Sequence, residues 1–203
     1  ASILDSDRAR FVRRVVTDSI DDIVPAIAPE AARAPSPANE ALDVLRDLIA
    51  SWQPGDGATA HDVYLGTNFD DVNNASRANP LGVLVSQGQT DTTYAAGILE
   101  FGQTYFWRVD EVNDAHPDSP WKGNIWSFSV PPKTAYLPEP ADGAGSVSVD
   151  TDLQWTGGFG AILHTIYFGD DFDEVNNAVG GTPQAIKGCG LDTLKMAHTY
   201  YWR

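Results

Sequence analysis

Leu99-Glu100-Phe101-Gly102-Gln103-Thr104-Tyr105-Phe106-Trp107-Arg108 decides how this chain reads, because its skeleton returns as Leu194-Lys195-Met196-Ala197-His198-Thr199-Tyr200-Tyr201-Trp202-Arg203. Upstream of this stretch the recurrence continues at a longer offset. Pro35, Pro37, Trp52, His61, Tyr64, Gly66, Phe69, Val72, Asn73, Asn74 and Ala75 match Pro138, Pro140, Trp155, His164, Tyr167, Gly169, Phe172, Val175, Asn176, Asn177 and Ala178, 103 positions later. An eight-residue deletion in the second copy reconciles the two offsets. Solenoid units run about 20–50 residues, so a repeat of this length is a domain duplication. The second copy runs only to Arg203, the counterpart of Arg108, and nothing in it corresponds to Ile125-Trp126-Ser127-Phe128-Ser129-Val130. The expected organisation is an N-terminal extension over 1–33, a first domain over 34–132, a linker over 133–136 and an incomplete second domain over 137–203.

Within the first copy the apolar residues alternate with period two. Leu48, Ala50 and Trp52 alternate with Ile49 and Ser51 before the turn Pro54-Gly55-Asp56-Gly57. Asp62–Leu65, Val83–Val85 and Thr92–Tyr94 read as further strands, Tyr105–Val112 as the longest, and Trp126, Phe128 and Val130 as the inward face of the last. Short strands with turn signals every 8–12 residues or so predict a β-sandwich. Phe69 and Val72, three apart, predict one helical turn plugging the end of that sandwich, and the prolines of Ala31–Pro37 predict a linker. In the extension, Phe11, Val12, Val15, Val16, Ile20, Ile23 and Val24 follow a helical stripe that Pro25 would stop, and Ile23–Pro29 reads as extended.

The same residues carry a resemblance. Leu99, Gly102 and Tyr105, followed by an alternating strand, resemble the tyrosine corner of fibronectin type III domains, and Leu194 and Tyr200 keep the spacing with Ala197 in place of the glycine. Phe101 and Met196 stand where that family usually has proline, and Trp52 and Trp155 resemble its core tryptophan. His61–Thr67 and Tyr105–Asn113 look like the fibronectin-III-like repeats of large secreted bacterial surface proteins. The resemblance covers residues 34–203 and implies an all-β fold of two tandem sandwiches, the second without its last strand, in an extracellular or cell-surface protein. It implies little about activity, because this fold hosts many roles.

Composition narrows the function. Across 203 residues, 42% hydrophobic and 20% charged content is that of a folded protein. The net charge of −15 argues against a nucleic-acid partner, which needs a basic face. No apolar run reaches the roughly 18 residues of a membrane-spanning helix. The chain opens at Ala1 with no initiating Met and no signal peptide, which reads as a mature or fragmentary start. A single cysteine, Cys189, leaves no internal disulfide and no cysteine-based zinc site. The acidic stretches at Asp70–Asn74 and Asp170–Asn177 have the oxygen ligands calcium uses, but lack an EF-hand spacing and suit helix starts better. His61 and His164 are repeat-equivalent and read as structural; no histidine pair has helical metal-site spacing. No nucleophile-elbow sequence surrounds a serine. The expectation is therefore no enzyme, no cofactor and no metal. Trp121, in the Asn113–Gly123 loop, is the candidate for stacking on a glycan, and Asn74 heads an Asn-Ala-Ser glycosylation sequon.

An open last strand position points to assembly. Tyr200, Tyr201, Trp202 and Arg203 would form an acceptor edge, filled by a strand from another copy of the chain. Phe11, Val15, Ile20, Ile23, Val24 and Ile27 are the donor candidates, within an extension whose first 16 residues carry four Arg against two Asp. Such head-to-tail exchange does not close on itself and builds a filament. The alternative is a spacer or adhesion segment of a larger secreted protein.

Overall fold

A computed structural model describes residues 30–186 and 188–203. The donor candidates Phe11, Val15, Ile20, Ile23, Val24 and Ile27 lie outside the described residues.

Repeat one is a two-sheet sandwich. One sheet has the order β1-β2-β5, from Arg33–Ser36, Ile49–Gln53 and Thr93–Ala95. The other has the order β4-β3-β6-β7, from Leu84–Gln89, Ala60–Gly66, Thr104–Val112 and Ile125–Ser129. All named pairings are antiparallel, with β3 against β6 from Ala60↔Val112 to Gly66↔Phe106 and β6 against β7 from Thr104↔Ser129 to Arg108↔Ile125. Alternation puts Trp52, Val63, Trp107, Val109, Trp126 and Phe128 in one buried cluster between the sheets. Trp107 meets Trp52 and Trp126 at ring-centroid distances of 6.4 and 4.8 Å, and Tyr105 stacks on Phe128 at 5.5 Å. Burying Trp126, Phe128 and Val130 contributes about 5–9 kcal/mol at roughly 1.5–3 per large side chain. This is the β-sandwich the alternation predicts.

The segment over Ala31–Pro37 is not a linker. Arg33–Ser36 is β1, and Ala31 and Ala32 before it are buried, Ala32 against the core cluster. Pro35 is tolerated because β1 is the outer strand of its sheet, where a missing N–H breaks no ladder. A positive φ at Ala34 and an irregular register between Arg33 and Ser36 bulge the strand, which hides it from a period-two search. Repeat two bulges at the same place: Leu137 has φ 49 against 48 for Ala34.

Repeat two rebuilds the first sheet completely, as β8-β9-β11 from Tyr136–Glu139, Asp152–Thr156 and Gly188–Gly190. Its second sheet is β10 (Phe168–Gly169) paired with β12 (Tyr201–Trp202). The bridge His164↔Gln184 continues it at the place of His61↔Gln89. Among the described residues no strand lies beside β12 on the side away from β10.

Both tyrosine corners close. The Glu100 N–H donates to the Tyr105 hydroxyl at 3.0 Å, and the Lys195 N–H to the Tyr200 hydroxyl at 3.1 Å. The substitution of Ala197 for glycine leaves the geometry intact, since Ala197 takes φ 55 where Gly102 takes φ 70.

Candidate functional site

Two features set this molecule apart from a bare sandwich: a polar layer on the outer face of the larger sheet, and the edge at β12. The polar layer begins with parity. If Val63, Trp107 and Val109 face inward, then Asp62, Tyr64, Phe106, Arg108 and Asp110 face outward. In most sandwiches that face meets water. Here a short helix, α1 (Phe69–Asn74), and the segment through Val83 cover it, and Tyr64, Val72, Ala75 and Val83 form a second buried cluster. The helical turn predicted from Phe69 and Val72 exists, but it lies on the sheet rather than plugging an end. Asn68 caps it, its side chain accepting from the N–H groups of Asp70 and Asp71 at 2.8 and 3.2 Å.

Arg108, with no solvent exposure, locks the helix to the sheet. Its guanidinium lies 4.2 Å from the Tyr64 ring centroid and donates to the carbonyls of Val72, Asn73 and Ala75, the last two at 2.8 Å. These are C-terminal carbonyls that the helix itself leaves unpaired. Nη2 also donates to Asp110 Oδ2 at 3.1 Å; Nε sits 2.8 Å from Oδ1 but points off line, so that second contact is ionic rather than a directed bond. Asp62, opposite Asp110 in the ladder, takes Arg77 in a fork and the Gly88 N–H at 2.7 Å. The Gly123 N–H donates to Asp110 at 3.0 Å. Burial pushes the Asp110 carboxyl above its usual range, against the pull of Gly123 and Arg108. Burial, then the charges of Asp110 and Asp62, raises the Tyr64 hydroxyl. At the sandwich end, buried His61 contacts Glu111 through Nδ1, and Glu111 accepts from the Gly55 N–H at 3.0 Å.

Repeat two copies the clamp. Arg203 lies 4.4 Å from the Tyr167 centroid and donates to the carbonyls of Val175 and Ala178 at the end of α2 (Phe172–Asn177), the first at 2.8 Å. Asp171 caps α2 by accepting from the Glu174 N–H at 2.9 Å. The acids of both stretches thus sit at capped helix starts, and the described residues hold no group of three or more metal-ligating side chains. Trp155 and His164 meet at 5.5 Å, as Trp52 and His61 do at 5.4 Å, so the repeated histidine is an edge-on partner of the core tryptophan in both copies.

The acceptor-edge residues divide by parity. Tyr200 and Trp202 are half-buried on the core side, Trp202 at 6.3 Å from Trp155 and Tyr200 stacked on Phe168 at 5.2 Å. Tyr201 and Arg203 face the other way and engage α2, Tyr201 through Phe172 at 5.5 Å. Trp121 is half-buried: its backbone exchanges hydrogen bonds of 2.8 and 2.9 Å with Glu111, and its ring tilts onto His116 at 4.9 Å. Asn74 is exposed at the last position of α1.

The repeats meet at a defined joint. Phe101 of repeat one and Phe159 of repeat two lie 5.1 Å apart, with Arg46 and Lys133 over the Phe101 ring at 4.1 and 4.9 Å. The Phe159 N–H donates to the Pro132 carbonyl at 2.7 Å. The Tyr136 hydroxyl donates to Asp43 across the joint, which pushes its pKa up to about 12.

Sequence reading missed the clamp and the joint. The signal for the clamp was present: Arg108 and Asp110 interrupt the outward face of a long strand, and Tyr64 and Arg108 both recur as Tyr167 and Arg203.

No protein-family model matches the chain, and no curated protein matches it. Among solved structures it is similar to the crystal structure of chicken CNTN1 FN1-FN3 domains, at 13% identity and a TM-score of 0.30. The match covers 87% of this chain and 61% of that one, so the chain spans about three-fifths of its length.

Proposed function

We propose that this chain is a non-enzymatic extracellular structural protein whose tandem sandwiches serve as a stiff spacer or adhesion unit. The joint carries the reading. Phe101 with Phe159 and the Asp43–Tyr136 bond engage both repeats at once, which holds them at one angle where a flexible linker would not. The buried charges fit the same use, since Arg108, Asp62 and Asp110 are spent on fixing helix and turns to the sheet. Small-angle scattering of the full chain tests the joint. The expected profile fits one conformer, and Phe159→Ser broadens it and enlarges the maximum dimension. A native profile that already needs many inter-repeat angles, and does not change in the variant, overturns the spacer reading.

A second reading, assembly, draws on the edge at β12. Copies would join head to tail, residues 20–28 of one supplying a strand beside Tyr200–Arg203 of the next, with the helical stripe before them docking alongside. Filaments seen by electron microscopy, and lost when residues 1–29 are removed, would support it. The cut must stop before Glu30, because Ala31 and Ala32 belong to the repeat-one core. A chain that stays monomeric at high concentration refutes assembly and leaves the spacer reading standing.

A further inference from the structure

We propose that an apolar patch of repeat one, on the outer face of the β1-β2-β5 sheet at its Leu45–Ile49 end, is the docking site for residues 11–24 of the same chain. The stripe of Phe11, Val15, Ile20 and Ile23 would lie on it. This goes beyond both readings of function, and it competes with assembly for the same residues.

The patch follows from strand parity. Val44, Leu48 and Ala50 pack on the core, so Leu45, Asp47 and Ile49 face outward. Ile49 pairs with Ala95, and the N–H groups of Ala96 and Leu99 donate to the carbonyls of Leu48 and Arg46, both at 3.0 Å. That ladder sets Ile98 beside Leu45–Ile49. Leu45, Ile49 and Ile98 are 61%, 64% and 68% exposed, and Leu42, in the loop just before them, is 67% exposed.

Repeat two shows that the fold does not require these residues. Its backbone is built the same way there. Asp152 pairs with Gly190 as Ile49 does with Ala95, and the Leu194 N–H donates to the Val149 carbonyl at 2.8 Å as Leu99 does to Arg46. Yet Gly145, Ser148, Asp152 and Thr193 stand where repeat one has Leu42, Leu45, Ile49 and Ile98. Apolar surface concentrated on one copy of a repeated face marks an interaction site.

Charge selects the occupant. Asp43, Asp47 and Glu100 are exposed around the patch, while Arg46 is engaged by the Leu99 carbonyl and the Phe101 ring. Residues 1–16 carry Arg8, Arg10, Arg13 and Arg14 against Asp5 and Asp7, so this rim attracts them. The acidic repeats of a second copy would be repelled.

Reach agrees. A Cβ on Gly55 would fall 1.9 Å from the Glu30 carbonyl oxygen, which fixes where the extension leaves the sandwich, just past the Gln53 end of β2. From there the chain back to Val24 can span about 20 Å, and Ile49 lies about 13 Å from Gln53 along the strand. As a helix, Phe11 to Ile23 would rise about 18 Å, enough to run from Ile49 past Leu45. Chain direction then brings Ile20 and Ile23 to Ile49, and Phe11 with the four arginines to Leu45 and the acidic rim.

Trypsin cleavage after Arg13 and Arg14 of the full chain, followed by mass spectrometry, reads the docking. Leu45→Ser with Ile49→Asp gives repeat one the residues that repeat two already carries at those places. Phe11→Ser with Val15→Ser changes only the extension and leaves the folding of both repeats untouched. Each pair should speed cleavage at least about tenfold, because proteolysis tracks the undocked population and each pair removes two apolar contacts. All four substitutions together should cleave no faster than either pair, since both pairs break one contact. A native rate in either pair, or additive effects of the two, overturns the proposal. Protection of the native chain should be independent of its concentration. Protection that fades on dilution overturns docking within the chain and supports assembly instead.

Discussion

Replacing Arg108 with alanine removes the one side chain that ties helix, sheet and carboxylate together in repeat one. Arg108 has no solvent exposure, and its loss leaves the carbonyls of Val72, Asn73 and Ala75 without their donor and Asp110 without its cation. Breaking a buried pair by removing one partner costs about 3–5 kcal/mol. Against a domain stability of about 5–15 kcal/mol, that is a third or more of the total in most of the range. Arg203→Ala is the internal control. Arg203 lies over Tyr167 and bonds two carbonyls at the end of α2, those of Val175 and Ala178, but is exposed, so water can solvate the released carbonyls, and the loss should stay near 1 kcal/mol, the net value of an ordinary hydrogen bond. Arg108→Lys should fall between, because a point charge cannot reach several carbonyls and a carboxylate at once. Urea titration followed by tryptophan fluorescence reads the loss, and hydrogen exchange across Tyr105–Val109 assigns it to repeat one. An Arg108→Ala chain within about 1 kcal/mol of the native one, or no worse than Arg203→Ala, would refute the clamp as a stability element.

Three further outcomes are expected. Ala197→Gly should stabilise repeat two and Gly102→Ala should destabilise repeat one, each by about 1 kcal/mol, since both positions have left-handed φ; equal melting of all three chains would show the corners carry no strain. Asp110 has a folded pKa above its ordinary 3.8, so the folded state holds the extra proton between the two values, and its contribution to stability falls as pH rises through that window; the stability–pH curve of Asp110→Asn should lack this component, and superimposable curve shapes would contradict it. Asn68→Ala should cost about 1 kcal/mol as a lost cap, while millimolar calcium should leave the native melting temperature unmoved; a rise of many degrees that a chelator reverses would show that the acidic stretches bind the ion.

The repeat, the alternation of Trp126, Phe128 and Val130, and the Leu–Gly–Tyr spacing determined the sandwich and both tyrosine corners without any coordinates, because strand periodicity and corner geometry are local properties of the chain. β1 was not legible. Its prolines and its positive-φ alanine mimic a linker, and only contact between Ala32 and a core assembled from distant strands makes it part of the sheet. Arg108 read as an ordinary charge on a strand, since burial of its guanidinium depends on a helix 35 residues away presenting carbonyls at the right height. Parity likewise split the four residues of the expected acceptor edge, Tyr200 and Trp202 to the core and Tyr201 and Arg203 to α2, which alternation alone allows but does not orient. The joint was least visible of all. Phe101 read only as a departure from the corner's usual proline and Phe159 carried no signal, and their contact exists only once the surfaces of the two repeats meet, a relation that no local pattern encodes.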